Sequence, residues 1–340
     1  MEHAKKLFWV DGLRAAATIA VVVVHVSAPV VYQFDSVSTN VWMTGNILDS
    51  LGRFCVPVFL MLTGALVLPK ENSLGEFFKK MGLRILLPFA FWSLIYIVFN
   101  YSQLSSLPLD SFRWIYFQIK DGSSYHLWYV YMIIGLYLFI PILGKWIRNA
   151  TEKEILFFLF VWFCTLFLKL PIVEKVFPTI ELGHFTGYIG YLVLGYYLSI
   201  KSVGNQNKTN VIGVVLFGIG VSLTAIGTIV MSNHTGQFYD LFYAYLTPNV
   251  IMASVGIFLL YKNLHEKYRP GIASEFISQY SYGIYLSHVL VLFLLSEIGL
   301  DWNLIHPAIG IPVTSAACLI LSSGLVFILN KLPFGKYISG

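Results

Sequence analysis

Charge is scarce in this chain. Only 22 Lys and Arg and 17 Asp and Glu occur among 340 residues, 11% of the sequence, where a soluble domain carries about a quarter. That excludes an ordinary soluble globular domain. Cysteine is equally sparse: Cys55, Cys164 and Cys318 are odd in number, lie in or beside apolar stretches and never show CxxC spacing, which argues against a disulfide scaffold or a thiolate metal site. A polar stretch long enough to form a soluble catalytic domain is also missing, the longest polar connection being 102–126.

What fills the chain is apolar, with 57% hydrophobic and 16% aromatic residues. A bilayer core about 30 Å thick needs roughly 20 mainly apolar helical residues per crossing. Such stretches recur at 7–28, 46–68, 83–101, 127–143, 155–170, 185–199, 211–231, 243–261, 273–296 and 304–331. The expected fold is all-α, a polytopic integral membrane protein of about ten transmembrane helices forming one membrane-embedded domain over 1–340. The first stretch is too long for a secretory signal and has no small-residue cleavage site, so it reads as a retained helix.

Orientation follows from the basic residues. With a cytoplasmic N-terminus, Arg53, Arg113, Lys120, Lys169 and Lys175 are the only ones of the 22 assigned outside, the bias expected of the positive-inside rule. Both termini are then cytoplasmic. The net charge of +5 reads as orientation and attraction to anionic membrane lipid, with no need for nucleic acid. The connection 69–82 is a cytoplasmic basic loop, ending in Phe77-Phe78-Lys79-Lys80 before Arg84; it suits either anionic lipid or a phosphorylated cytosolic ligand. The exterior segment 102–126 holds Trp114, Tyr116, Phe117 and Tyr125, fitting an interfacial aromatic belt or an amphipathic segment. Exterior connections are also expected at 169–184 and 232–242.

Charged and imidazole groups inside a span are costly unless paired or wetted, so they mark a protein interior or a cavity. The first helix carries Asp11, Arg14 and His25. Asp11 and Arg14, three apart, can pair on one face. His25 follows Arg14 by eleven residues, about three turns, and so shares its face near the other side of the membrane. Arg14 is either a helix-end anchor or a binding cation; His25 is either a hydrogen-bonded interhelical contact or a general base, for which its near-neutral reference pKa suits it. Arg53, His126 and His288 are expected on the same side as His25. No acidic or thiol partner accompanies the imidazoles at metal-ligand spacing, so no metal is expected.

These residues resemble the acyltransferase-3 family of membrane O-acyltransferases. Asp11-Gly12-Leu13-Arg14 followed by His25 looks like its first-helix signature, and Arg53-Phe54-Cys55-Val56-Pro57-Val58-Phe59-Leu60-Met61-Leu62-Thr63-Gly64 resembles its second-helix pattern, which usually ends in Ser-Gly. His126-Leu127-Trp128 and Ser281-Tyr282-Gly283-Ile284-Tyr285-Leu286-Ser287-His288 extend the likeness over essentially the whole chain. The resemblance implies an acyl donor, usually acetyl-CoA, used from the cytoplasm, and a sugar hydroxyl acylated toward the exterior. The compact form suggests a bacterial cell membrane and, as acceptor, surface polysaccharide or a lipid-linked glycan precursor. It further implies that Arg14, Lys80 and Arg84 meet the donor phosphates, that His25 is the base or an acyl carrier, and that Arg53 or His288 stabilises the oxyanion. Asp11, His126, Trp128 and Tyr285 are structural or acceptor-side. One departure is Met81, where the family often has the first Arg of Arg-x-x-Arg. The competing reading is a transporter of a glycan, small acid or related solute.

Overall fold

A computed structural model describes residues 7–104, 110–174, 187–201, 204–264 and 269–340. Lys5, Lys6, Lys175 and Lys267, together with parts of the connections 102–126 and 169–184, lie outside the described residues. Among those described, the regular structure is helical throughout. In chain order the helices are α1 (Phe8–Val31), α2 (Thr39–Gly52), α3 (Cys55–Val67), α4 (Leu74–Met81), α5 (Leu87–Ser102), α6 (Ser111–Lys120), α7 (Trp128–Asn149), α8 (Glu152–Leu168) and α9 (Pro171–Glu174). They continue with α10 (Ile189–Ile200), α11 (Gln206–Thr235), α12 (Pro248–Leu264), α13 (Ile272–Gln279), α14 (Ser281–Glu297) and α15 (Pro307–Lys331).

Among the described residues seven helical runs are long and apolar enough to cross a membrane, and the pair α13 and α14, bent by 83°, makes an eighth if it is one span. Each of the ten expected stretches holds a helix. Two are short, α8 with 17 residues and α10 with 12; a 12-residue helix reaches only about 18 Å. The chain is thus a polytopic membrane protein whose apolar helices are unequal in length.

Helix α1 is the axis of the bundle, packing against α2, α3, α12, α13, α14 and α15. Its small residues allow this: Ala15, Ala17 and Ala20 are buried beside Leu13 and Val24. By contrast α11 exposes Val211, Val214, Leu223, Ile226 and Val230, as a lipid-facing helix does. Helices α3 and α10 meet at backbone distance at two points. A Cβ added at Gly64 of α3 would lie 1.9 Å from the Leu192 carbonyl oxygen of α10, and one at Gly195 would lie 2.0 Å from that of Met61. Small residues at such crossings are what lets membrane helices approach closely.

The second run begins at Thr39, seven residues before the expected start. Asn46, Asp49 and Ser50 are all buried within it, and the helix accommodates them by pairing. Asn46 Nδ2 donates to the Ala225 carbonyl at 3.1 Å and its Oδ1 accepts from Tyr243 Oη at 2.5 Å. Arg53 therefore sits not near the end of this run but at its central break, between α2 and α3.

Most of the segment 69–82 is helical as well. Ser73 caps α4 by accepting from the Glu76 N–H at 3.3 Å, Phe77 and Met81 are buried, and a π turn at Gly82–Leu86 leads straight into α5. Within 102–126, Asp110 caps the amphipathic α6 by accepting from the Arg113 N–H at 2.9 Å. No side chain of α6 is buried; it is held by Asn100 Nδ2 donating to Gln118 Oε1 at 2.8 Å and by Tyr131 Oη donating to the Ile119 carbonyl.

Candidate active site

One cavity of about 760 Å³ opens between α1, α3, the α4–α5 run, α7 and α14. Arg14, Lys80, Arg84 and Lys336 line it together. The first three are those expected from sequence to meet an anion; Lys336, from the short turn Gly335–Tyr337, is an addition. Lys80 and Arg84, four apart, take one face across the π turn. Lys80 Nζ donates to Asn72 Oδ1 at 2.9 Å, whereas Lys79 takes no part in the lining. Met81 is buried and does not line the cavity, whereas Lys80, one residue earlier, places a cation there. Asp11 accepts from Ser278 Oγ at 2.9 Å and ties α1 to α13.

The inner end of the cavity is formed by Val130, Tyr129 and Tyr285. Directly behind Tyr285 the three histidines come together. The His25 ring lies 4.9 Å from that of His288 and 6.4 Å from that of His126, and the last two are 5.1 Å apart. Three elements deliver them: α1, the 3-10 turn Tyr125–Leu127 that opens α7, and α14. The bend between α13 and α14 lets α14 start at the cavity, with Ser281 and Tyr282 lining it, and carries His288 two turns further in.

Hydrogen bonds set the imidazole tautomers. His288 Nδ1 lies 2.6 Å from the Tyr285 carbonyl, an acceptor only, so Nδ1 carries the proton and Nε2 presents a lone pair. That Nε2 is buried without a partner, as is Nε2 of His126, whose Nδ1 meets Ser124 Oγ at 2.9 Å. His25 is half-buried and makes no hydrogen bond through its ring among the described residues. A buried polar atom with no partner costs free energy, and two such nitrogens stand beside the third imidazole. The cluster does not form a metal cage: among the described residues no group of His, Cys, Asp and Glu has that arrangement.

Arg53 approaches from the other side. Its Nε bonds Asp49 one turn earlier on α2, and Ser27 Oγ, two residues beyond His25, donates to the other carboxylate oxygen at 3.0 Å. The guanidinium carbon sits 4.1 Å over the Tyr243 ring and 6.0 Å from that of Tyr245, leaving its terminal nitrogens outside the carboxylate pair. Trp128 stacks at 6.0 Å on Tyr245 and so belongs to the aromatic wall around Arg53. Sequence reasoning named Arg53 but missed Asp49, Ser27, Tyr243 and Tyr245. Of these only Asp49 carried a signal, its four-residue spacing to Arg53.

The arrangement separates a chamber lined by four cations from a cluster of three imidazoles by one layer of tyrosine. In a comparison with known families, a family profile described as an acyltransferase domain matches residues 7–328. No curated protein and no solved structure matches the chain.

Proposed function

The chain belongs to the acyltransferase-3 family of membrane O-acyltransferases, and from that premise we propose that it transfers an acetyl group from acetyl-CoA to a hydroxyl of a cell-surface sugar or lipid-linked glycan. Family membership makes it an enzyme that acylates a hydroxyl and removes the transport reading. The observation that carries the finer reading is the single cavity with Arg14, Lys80, Arg84 and Lys336 at its lining and Tyr285 at its inner end. Four cations suit the phosphates of CoA. Helix α14, which begins there without a side-chain cap, adds its positive end to the same field. The slender thioester arm then points toward the imidazoles.

In this reading the basic end faces the cytoplasm of a bacterial cell and His25 the exterior. The acceptor hydroxyl attacks the thioester carbonyl carbon while His25 takes its proton. The tetrahedral oxyanion forms within reach of Arg53, and collapse breaks the C–S bond and releases CoA as thiolate, which is then protonated. With its Nδ1 proton donated to the Tyr285 carbonyl, His288 offers a lone pair at Nε2 and not a donor, so it suits proton relay better than oxyanion binding. An acyl-His25 intermediate uses the same atoms in two steps. The aromatic wall of Trp128, Tyr188 and Tyr245 supplies stacking faces for a sugar ring.

The test measures CoA release and acetyl transfer by purified protein given acetyl-CoA and isolated surface polymers. His25→Ala should bind acetyl-CoA with native affinity and lose transfer by a hundredfold or more, on the order of a lost general base; Arg84→Ala should instead raise the donor KM. Native-like transfer by donor-saturated His25→Ala would remove His25 from the chemistry.

A further inference from the structure

Tyr285 is the one described side chain that both lines the basic cavity and stands in ring contact with two imidazoles, His126 at 5.4 Å and His288 at 5.9 Å. No histidine reaches the cavity lining itself. The ring is buried, flanked by Tyr129 at 5.3 Å and by Tyr282 stacked at 6.4 Å. It is fastened at its tip, where Tyr285 Oη donates to the His126 carbonyl, while its own carbonyl accepts from His288 Nδ1. A molecule entering by the cations therefore meets this ring before it can meet an imidazole. Only one side-chain hydrogen bond needs to break for the ring to turn.

We propose that Tyr285 is a movable partition, closed in this structure, that shields the imidazoles from water arriving through the cavity and turns aside only when acyl thioester and acceptor are both seated. The need for it is chemical. Water can replace the acceptor hydroxyl: its oxygen adds to the thioester carbonyl carbon, the C–S bond breaks, and the thiolate takes the proton that water loses, giving free acid and CoA. A base beside an open, hydrated cavity would waste donor in this way. An aromatic ring across the opening suppresses that loss until the acceptor is in place.

The donor in this inference rests on the function proposed above; the partition itself is testable without it. Diethyl pyrocarbonate carbethoxylates an unprotonated imidazole nitrogen, releasing ethanol and carbon dioxide, and peptide mass spectrometry reads the rate at each histidine. In detergent-purified protein, His288 should react several-fold faster in Tyr285→Ala than in the native chain. Tyr285→Phe, which keeps the ring and loses only its clasp, should fall between them. Tyr285→Leu serves if the alanine variant does not assemble. With acetyl-CoA and no acceptor, the alanine or leucine variant should also hydrolyse donor several-fold faster than the native protein. Equal carbethoxylation of His288 in native and ring-deleted proteins with matching thermal unfolding would overturn the partition, whatever the transfer activity. Faster labelling in a protein that neither binds nor consumes acetyl-CoA would uphold the partition and remove the donor assignment instead.

Discussion

Asp49 and Arg53 form an ion pair in the middle of the second helical run, with the carboxylate fully buried and the guanidinium largely so. Breaking such a pair from one side costs about 3–5 kcal/mol because it strands the other charge. Asp49→Asn should therefore lower the thermal midpoint in detergent clearly. The double variant Asp49→Asn with Arg53→Gln should recover much of it while transfer stays low. Tryptophan fluorescence during heating reads both, and an Asp49→Asn protein as stable as the native one would show that Ser27 and the aromatic rings suffice to hold Arg53. At this scale the sequence disclosed the residues that are rare for their surroundings. Arg14, His25 and His288 stand out because apolar neighbours make them anomalous. Tyr243 and Tyr245 were hidden for the opposite reason: in a chain with 21 tyrosines, nothing local distinguishes the two that face Arg53.

Among the helices, the contact of α3 with α10 is set by backbone against backbone at Gly64 and Gly195. A methyl group at Gly195 has no room, so Gly195→Ala should part the helices at a cost of about 1–3 kcal/mol. Because α3 also carries Thr63 and Phe59 of the cavity wall, donor affinity should weaken along with stability. Gly218 of α11 has nothing within 4 Å of an added Cβ, and Gly218→Ala should be neutral or stabilise by up to about 1 kcal/mol through helix propensity. Equal effects of the two substitutions on the unfolding midpoint would refute this packing argument. The positions of the helices were legible from apolar length alone, whereas the irregularities that build the site were not. The break at Arg53, the π turn at Gly82–Leu86 and the bend before α14 depend on which polar groups find partners across helices, and those partners are distant in sequence.

For the molecule as a whole, orientation in the membrane rests on the uneven distribution of Lys and Arg. After replacement of Cys55, Cys164 and Cys318, a cysteine at exposed Lys79 should react with an impermeant thiol reagent only once cells are permeabilised. One at exposed Arg113 should react in sealed cells. Labelling in the reverse order would invert the topology and place the basic cavity outside. A basic cluster and a set of three imidazoles could each be recognised as candidates in the sequence; that Tyr285 stands between them could not, because that placement exists only where α7 and α14 meet.

The distance between cations and imidazoles also has an electrical side. In the proposed reaction, passing an acyl group from sulfur to oxygen carries the equivalent of one positive charge toward the His25 end, and the proton of the hydroxyl is the charge available to return. In that reaction His126 and His288, which stand ring to ring with His25 and touch Tyr285, would carry that proton inward to the departing thiolate. A turnover that uses this path displaces no net charge. A proton lost outward would leave each cycle electrogenic, coupled to the membrane voltage by about 2.3 kcal/mol per 100 mV for a full crossing. In proteoliposomes, a potassium diffusion potential of either sign should leave the transfer rate unchanged. A rate that climbs when the basic side is made positive would put the proton's exit on the outer face.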